Sequence, residues 1–482
     1  MFSRDSRPSF PSLLAATAMG VYLLVAAGAT ASVADAARAC SSWPVCHGPL
    51  TLADPALLIA WAHRVVALLV GVLALATAVA AVRDRAAIRG RVLAALALGL
   101  VLFPVQVAIG AVVVTGGAAA LPAGAHLAVG MVLFTALVVA LAWELEPETP
   151  DAPEEGWAVE PGVDAEATDS SETLDDDTVA EPTTVPSDLP LRTRVTATVS
   201  AYFRLTKPRL MWLLCLVAAA GMALASTGTP DLTVRTVVLT LGGGVLAIGA
   251  SGTFNHVLER EKDKKMDRTS DRPIATHQIP VRRAVAFGLT LAASSLVVFA
   301  QLNLLAAALG LSAILFYSVV YTLVLKPNTV QNTVIGGFAG ALPALIGWAA
   351  VTGEFGLPGA ALAGVIFLWT PAHFYNLALA YKEDYARGGF PMMPVVRGEA
   401  ATRKHILYYL AATLVAAVAL AELTALGWMY AATTCVFGGV FLWAVLRLHR
   451  ERTESAAFRA FHASNAYLGA LLIAIVVDAL AL

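Results

Sequence analysis

Charge is scarce in this 482-residue chain: Asp, Glu, Lys and Arg make up only 14% of it, against roughly 25% in an ordinary soluble domain. The deficit excludes a large soluble enzyme. Cysteine is held to four residues, and the group Cys40, Cys46, His47 lacks a fourth ligand, which excludes a closed zinc site there. No stretch carries the alternating ten-residue pattern of a membrane β-strand, so a β-barrel is excluded. Gly and Pro follow no strict period, and the apolar content is too high for a disordered chain. Basic residues are missing altogether from 144–190, where 16 Asp and Glu collect. The rest of the chain carries 18 acidic and 32 basic residues, so the formal charge of −2 hides two opposed regions.

What the chain has is apolar length. Hydrophobic residues are 58% of the total, and mean hydropathy is +0.73. A spanning helix needs about 20 mostly apolar residues. Four such runs precede the acidic segment, at 12–34, 58–82, 92–114 and 122–143. Nine follow it, at 210–227, 234–254, 283–301, 303–324, 330–352, 358–380, 405–425, 428–446 and 462–481. Lipid forces backbone groups to pair within each run, so each is expected to be helical. The first run is too long for a signal-peptide core, and other spans follow it, so it reads as a retained helix. The expected fold is an all-α polytopic membrane protein. A four-helix transmembrane bundle occupies 1–143, an acidic disordered linker 144–198, and a nine-helix domain 199–482.

Basic loops set orientation. Arg83, Arg85, Arg89 and Arg91 form one set, the seven basic residues from Lys262 to Arg283 a second, and Arg387, Arg397, Arg403 and Lys404 a third. All three fall on one side if the N-terminus is cytoplasmic. The expected location is the cell membrane, multi-pass, with the N-terminus, the linker and these loops cytoplasmic. Cys40 and Cys46 then face outward, either bridged or as free thiols. The bilayer is the expected partner, and nothing points to nucleic acid.

The sharpest polar feature runs from Asn255 to Pro273. Asn255, Glu259 and Asp263 are spaced i, i+4, i+8 and share one face of a helix. Oxygen ligands of this kind suit Mg²⁺ bridged to a phosphate. Arg268 and Arg272 are also four apart and can clamp a diphosphate. A solvated juxtamembrane charge run has the same spacing. A second polar cluster holds His373, Lys382, Glu383 and Asp384. His373 and Asp384 share a face if the helix continues, and an ionisable group inside a span is a functional candidate or a hydrogen-bonded interior residue. Glu383 and Asp384 are candidate ligands for a second metal. In the first block, His63 and His126 sit on different helices. Two such imidazoles can ligate one haem, and each alone is equally a packed polar residue.

Residues 200–482 resemble the UbiA superfamily of intramembrane prenyltransferases, and within it the haem O synthases. The resemblance is carried by Asn255, Glu259, Asp263, Met266-Asp267-Arg268-Thr269 and Arg272-Pro273, then by Tyr321 to Lys326 and Gly336-Gly337 to Pro343. It continues through Trp369 to Phe374, Asp384-Tyr385 and Pro391 to Val396. The departures are His256, where the superfamily has an aspartate, Pro371-Ala372 in place of Pro-Pro, and Glu383-Asp384 in place of a spaced aspartate pair. The resemblance implies nine helices around a cavity and Mg²⁺-assisted ionisation of farnesyl diphosphate. It implies transfer to a vinyl group of haem B. Asn255, Glu259, Asp263, Glu383 and Asp384 would hold metal, while Arg268, Arg272, Lys326 and Lys382 would hold substrate. His373 would either position the haem or order the cavity. Acceptors other than haem, such as a quinone precursor or a lipid glycerol, fit the same fold. A haem-binding carrier is a further alternative.

The first 130 or so residues resemble the N-terminal half of haem A synthase, through Gly28-Ala29-Thr30, Cys40 to Gly48, Trp61-Ala62-His63-Arg64, Gln106 to Ala111, and His126. Only one four-helix half is present, and Ala60 stands where members carry a Glu thought to be catalytic. The resemblance implies a bound haem on His63 and His126 or product handover, while a haem A synthase-like activity would need two protomers to combine and another group to replace that Glu; haem A synthase or terminal-oxidase assembly factors are the expected protein partners.

Overall fold

In the computed structural model, residues 8–33, 36–46, 54–116, 119–147, 190–227, 232–424 and 426–481 are described. Most of them are helical, and no strand occurs among them. Thirteen helices among the described residues are long and apolar enough to cross a membrane. The first four are α1 (Phe10–Val33), α2 (Pro55–Arg83), α3 (Gly90–Thr115) and α4 (Ala120–Leu145). A further helix, α5 (Leu191–Leu205), has no place among the thirteen. Nine spans follow. These are α6 (Pro208–Ser226), α7 (Val234–Leu258), α8 (Val281–Ala300), α9 (Leu304–Asn328), α10 (Asn332–Thr352), α11 (Leu357–Ala380), α12 (Gly398–Leu423), α13 (Trp428–Glu451) and α14 (Glu454–Ala481).

Several helices outrun their apolar runs. α14 starts eight residues before the run at 462, because backbone bonding continues through polar turns that need no lipid contact. The linker expected over 144–198 is shorter than that. α4 continues to Leu145, and α5 begins at Leu191. Apolar residues four apart make that stretch a helix despite its polar composition. The acidic part at 148–189 lies outside the described residues.

The nine later helices close into a ring, each against the next and α14 back against α6. Small residues allow the tightest crossing. A Cβ on Gly347 of α10 would lie 2.1 Å from the Ala218 carbonyl oxygen of α6, so only glycine fits there. Within α9, residues Phe316–Leu325 wind as a π-helix, which turns Tyr317, Tyr321 and Thr322 relative to an ordinary helix.

The four-helix block packs on α12 and α13 of the ring through one continuous apolar core. Tyr22 of α1 donates its hydroxyl to the Thr434 carbonyl of α13. Arg403 of α12 meets Glu146 at the end of α4 at 2.6 and 3.1 Å, both side chains being buried. Cys40 and Cys46 are bridged, with Cα atoms 5.5 Å apart. Arg64 of α2 donates to the Cys40 and Pro44 carbonyls and ties that loop down.

Candidate functional site

α7 ends at Leu258, yet its winding continues. Glu259 N donates to the Asn255 carbonyl at 3.0 Å, and Asp263 N to that of Glu259 at 2.8 Å. Asn255, Glu259 and Asp263 therefore share the face that their spacing predicts, and all three are buried. Buried carboxylates need partners, and basic residues from distant elements supply them. Lys326 at the end of α9 places Nζ 2.5 Å from Glu259 Oε1. Arg272 donates to both Asp263 oxygens at 2.7 and 2.8 Å and stands 3.9 Å from Glu259.

Lys207 is the residue that spacing did not reveal. It sits between α5 and α6 with φ of 54°, a left-handed backbone that residues with a Cβ seldom adopt. That turn carries Nζ onto Asn255 Oδ1 and within 3.3 Å of the Tyr317 hydroxyl. Asn255 Nδ2 donates to Thr322 Oγ1 at 3.2 Å, so the π-helical stretch of α9 also braces the site. In sequence, a single lysine at a span entry is indistinguishable from an orientation anchor.

Burial lowers the Lys207 pKa to about 7, the Arg272 and Lys326 charges adding to the effect and Glu259 and Asp263 opposing it. Burial works to raise the Glu259 pKa, but the charges of Lys326, Lys207 and Arg272 outweigh it and hold Glu259 below the ordinary carboxylate value. Lys262 and Lys326 both lie over the Phe390 ring, at 4.4 and 4.3 Å. Cations thus outnumber carboxylates at this mouth, and the surplus suits an anion.

The second motif has a different part. Asp384 accepts from Asp267 N at 2.7 Å, from Arg268 N at 3.4 Å and from Arg387 at 2.8 Å. Its oxygens hold the loop that carries Arg268, whose guanidinium bonds the Tyr385 hydroxyl at 3.1 Å and lies over the Tyr381 ring. Glu383 is exposed on a polar groove, and Lys382 there pairs with Glu399 at 3.0 Å. Among the described residues, no three His, Cys, Asp or Glu side chains group as a metal site. The two acidic motifs meet through backbone hydrogen bonds and not as one carboxylate cluster. His373 stacks between Trp369 and Phe461 and bonds Ser464 Oγ at 2.7 Å, joining α11 to α14.

Beyond Lys207 and Tyr317 an apolar slot runs into the ring between α6, α7, α9 and α10. It extends along α7 from Gly252 to Thr240, about 18 Å of helical rise. Leu210, Leu214, Leu241, Ile248 and Ile346 line it, so it suits a hydrocarbon chain.

A larger cavity lies in the four-helix block. His63 and His126 both line it, each with a buried Nδ1 that has no hydrogen-bond partner. Gly28 and Gly110 leave room for the two rings; a Cβ on Gly110 would lie 3.0 Å from His126. Ala60 lines it too, and so does Glu422, a carboxylate from the far end of α12. His126 stands 20 residues before Glu146 on α4, about 30 Å of rise, and Glu146 is the partner of Arg403 beside the second motif. The two cavities share no lining residue.

Residues 213–469 match the model of the UbiA prenyltransferase family. A protein of Haloarcula marismortui named protoheme IX farnesyltransferase is 66% identical, over 98% of this chain and 99% of its own length. Another of Natronomonas pharaonis, protoheme IX farnesyltransferase 1, is 62% identical over 98% and 99%. Among solved structures, a digeranylgeranylglyceryl phosphate synthase is similar at a TM-score of 0.50 and 17% identity, over 59% of this chain and 99% of its own, a likeness of fold alone. The chain belongs to the UbiA prenyltransferase family.

Proposed function

We propose that the chain transfers a farnesyl group from farnesyl diphosphate to a vinyl group of haem B, giving haem O. The observation that carries this is a cation-rich cradle at the mouth of an apolar slot: Lys207, Arg272 and Lys326 face the diphosphate end, and the slot takes the prenyl tail. The names of the similar proteins supply the acceptor.

Breaking the C1–O bond leaves an allylic cation and a diphosphate anion. The cations offset the charge that develops on the leaving group. Asn255, Glu259 and Asp263 offer the hard oxygen donors that Mg²⁺ takes, and the basic residues now paired to them are free to turn to phosphate oxygens. A bound Mg²⁺ would supply Lewis acidity to the same leaving group. The rings of Tyr317 and Tyr321 stand 5.5 Å apart on the π-helical stretch beside the slot, where an electron-rich face stabilises a cation. The apolar lining keeps water away until the vinyl carbon has attacked C1. Water then adds to the resulting cation and releases a proton, which forms the hydroxyethylfarnesyl group. Asp384 acts as a positioning residue for Arg268. Product passes on to haem A synthase or terminal-oxidase assembly factors.

Incubation of the purified chain with haem B, farnesyl diphosphate and Mg²⁺ is expected to give a farnesylated haem by mass spectrometry. A prenylated quinone precursor or glycerol lipid from a mixed-acceptor assay, without farnesylated haem, would replace this reading. Glu259→Ala, Asp263→Ala and Arg268→Ala are each expected to cut turnover by about 10²-fold or more. Near-normal turnover in all three rules out the cradle.

The four-helix cavity supports a second role, a bound haem on His63 and His126. We read this haem as separate from the acceptor, because α4 sets His126 about 30 Å of helical rise from Glu146, the partner of Arg403 beside the second motif. Purified protein is expected to show a Soret band that is lost in His63→Ala and in His126→Ala. Unchanged haem content in both rules the two imidazoles out as ligands. The excess of Lys and Arg in these loops favours a transfer site on the cytoplasmic side of the cell membrane, with the bridged loop outside.

A further inference from the structure

The surface of α5 divides into three arcs. Ala201 and Leu205 are buried against Val257, Ile274 and Ile279, and Tyr202 meets Phe287 edge-on at 5.0 Å. A second arc carries Leu191, Val195, Val199 and Phe203, which are 75%, 52%, 62% and 60% exposed. Recurring every four residues, they cover roughly 120° of the helix, with Arg192 in the first turn as the charge within that arc. Thr193, Thr196, Ser200 and Arg204 fill the third arc. A helix in water has no use for a second apolar arc.

Its place in the chain says what covers that arc. Only Thr206 and Lys207 separate α5 from α6, which enters the membrane at Pro208. Three residue steps reach at most about 11 Å, so the C-terminal end of α5 stays at the bilayer boundary. The exposed Leu210 and Trp212 of α6 continue the apolar surface into the span. Arg192, Arg194 and Arg204 provide cations at headgroup level.

We propose that α5 lies in the headgroup layer of the bilayer, with Leu191, Val195, Val199 and Phe203 among the acyl chains, and that this docking braces the anion cradle. Both ends of the brace are visible. Arg204 donates to the Asp271 carboxylate at 2.6 Å and to its carbonyl at 2.9 Å, one residue before Arg272. Leu205 packs beside Gly252 of α7, where a Cβ would lie 2.9 Å from the Leu205 carbonyl oxygen, and Lys207 follows two residues later. The lipid placement stands apart from the transfer reading; only the link to the cradle rests on that reading.

The test uses the full chain with Cys215→Ala and Cys435→Ala, in nanodiscs of phosphatidylglycerol and phosphatidylcholine. Val199→Cys carrying bimane is expected to be quenched at least threefold more by lipids with a shallow acyl nitroxide than by aqueous iodide. Thr196→Cys is expected to show the reverse order. Equal iodide quenching at both positions overturns the placement. Protection of Val199→Cys from both quenchers, with energy transfer between labelled chains, overturns it in favour of a second copy. For the brace, the pair Val195→Asn and Val199→Asn is expected to weaken inorganic diphosphate binding about fivefold in nanodiscs at unchanged thermal stability. Unchanged binding in this pair removes the link to the cradle and leaves the placement, which the Val199→Cys and Thr196→Cys labels decide on their own.

Discussion

Replacing Lys207 with Met lowers turnover with farnesyl diphosphate by about 10²- to 10³-fold, the range for one preorganised charge at a developing anion, while the chain stays folded. The side chain is buried beside Asn255 and Tyr317, at the junction of the cradle and the slot. Met fills similar space without the ammonium, and it leaves the carboxylate pairs of Lys326 and Arg272 untouched. The effect carries a pH signature. Burial has brought Lys207 to about 7 in the free chain. Below that pH it is already charged and binds diphosphate without proton uptake. Above it, binding must take up a proton, so the apparent Kd rises by up to about tenfold per pH unit until the higher pKa of the bound state is reached. The diphosphate itself titrates alike with both proteins, so the ratio of wild-type to variant Kd isolates Lys207. Isothermal titration from pH 6 to 9 measures it. A ratio flat across that range, or turnover within twofold of wild type, would show that Lys207 does not meet the leaving group.

Arg403→Ala is expected to destabilise the joint between the two blocks by about 3–5 kcal/mol, because it strands the buried Glu146 carboxylate. Arg452 lies 3.8 Å from Glu146 but is half exposed, and it replaces little of the pair. Removing both charges, as Arg403→Met with Glu146→Leu, is expected to restore most of the loss, since an apolar pair of similar volume carries no desolvation cost. Unfolding followed in mixed micelles compares the three. A single variant as stable as wild type, or a double variant no better than the single, would locate the cohesion elsewhere in the shared apolar core.

Local pattern carried a good part of the site. Asn255, Glu259 and Asp263 obey the helical period, and the continued winding past Leu258 keeps them on one face. Asp384 was visible as a polar residue beside a span, but its task was not: it holds backbone donors at Asp267 and Arg268, more than a hundred residues away. α5 was hidden by its threonines and arginines, which resemble linker composition, although its apolar residues already recurred every four.

The sequence by itself determined that this chain lives in a membrane, as helices, and roughly where each begins. Lipid offers the backbone no partners, so every long apolar run has one solution. Which residues stand together was decided only by closure of the ring. Lys207 precedes α6, Asn255 ends α7, and Tyr317 and Lys326 sit on α9, so no single periodicity relates all four. Their convergence depends on how α6, α7 and α9 pack, with Gly347 seated on the Ala218 carbonyl and a π-helical stretch turning Tyr317 inward. Packing also decided that the four-helix block shares the core of α12 and α13 while keeping a cavity of its own around His63 and His126.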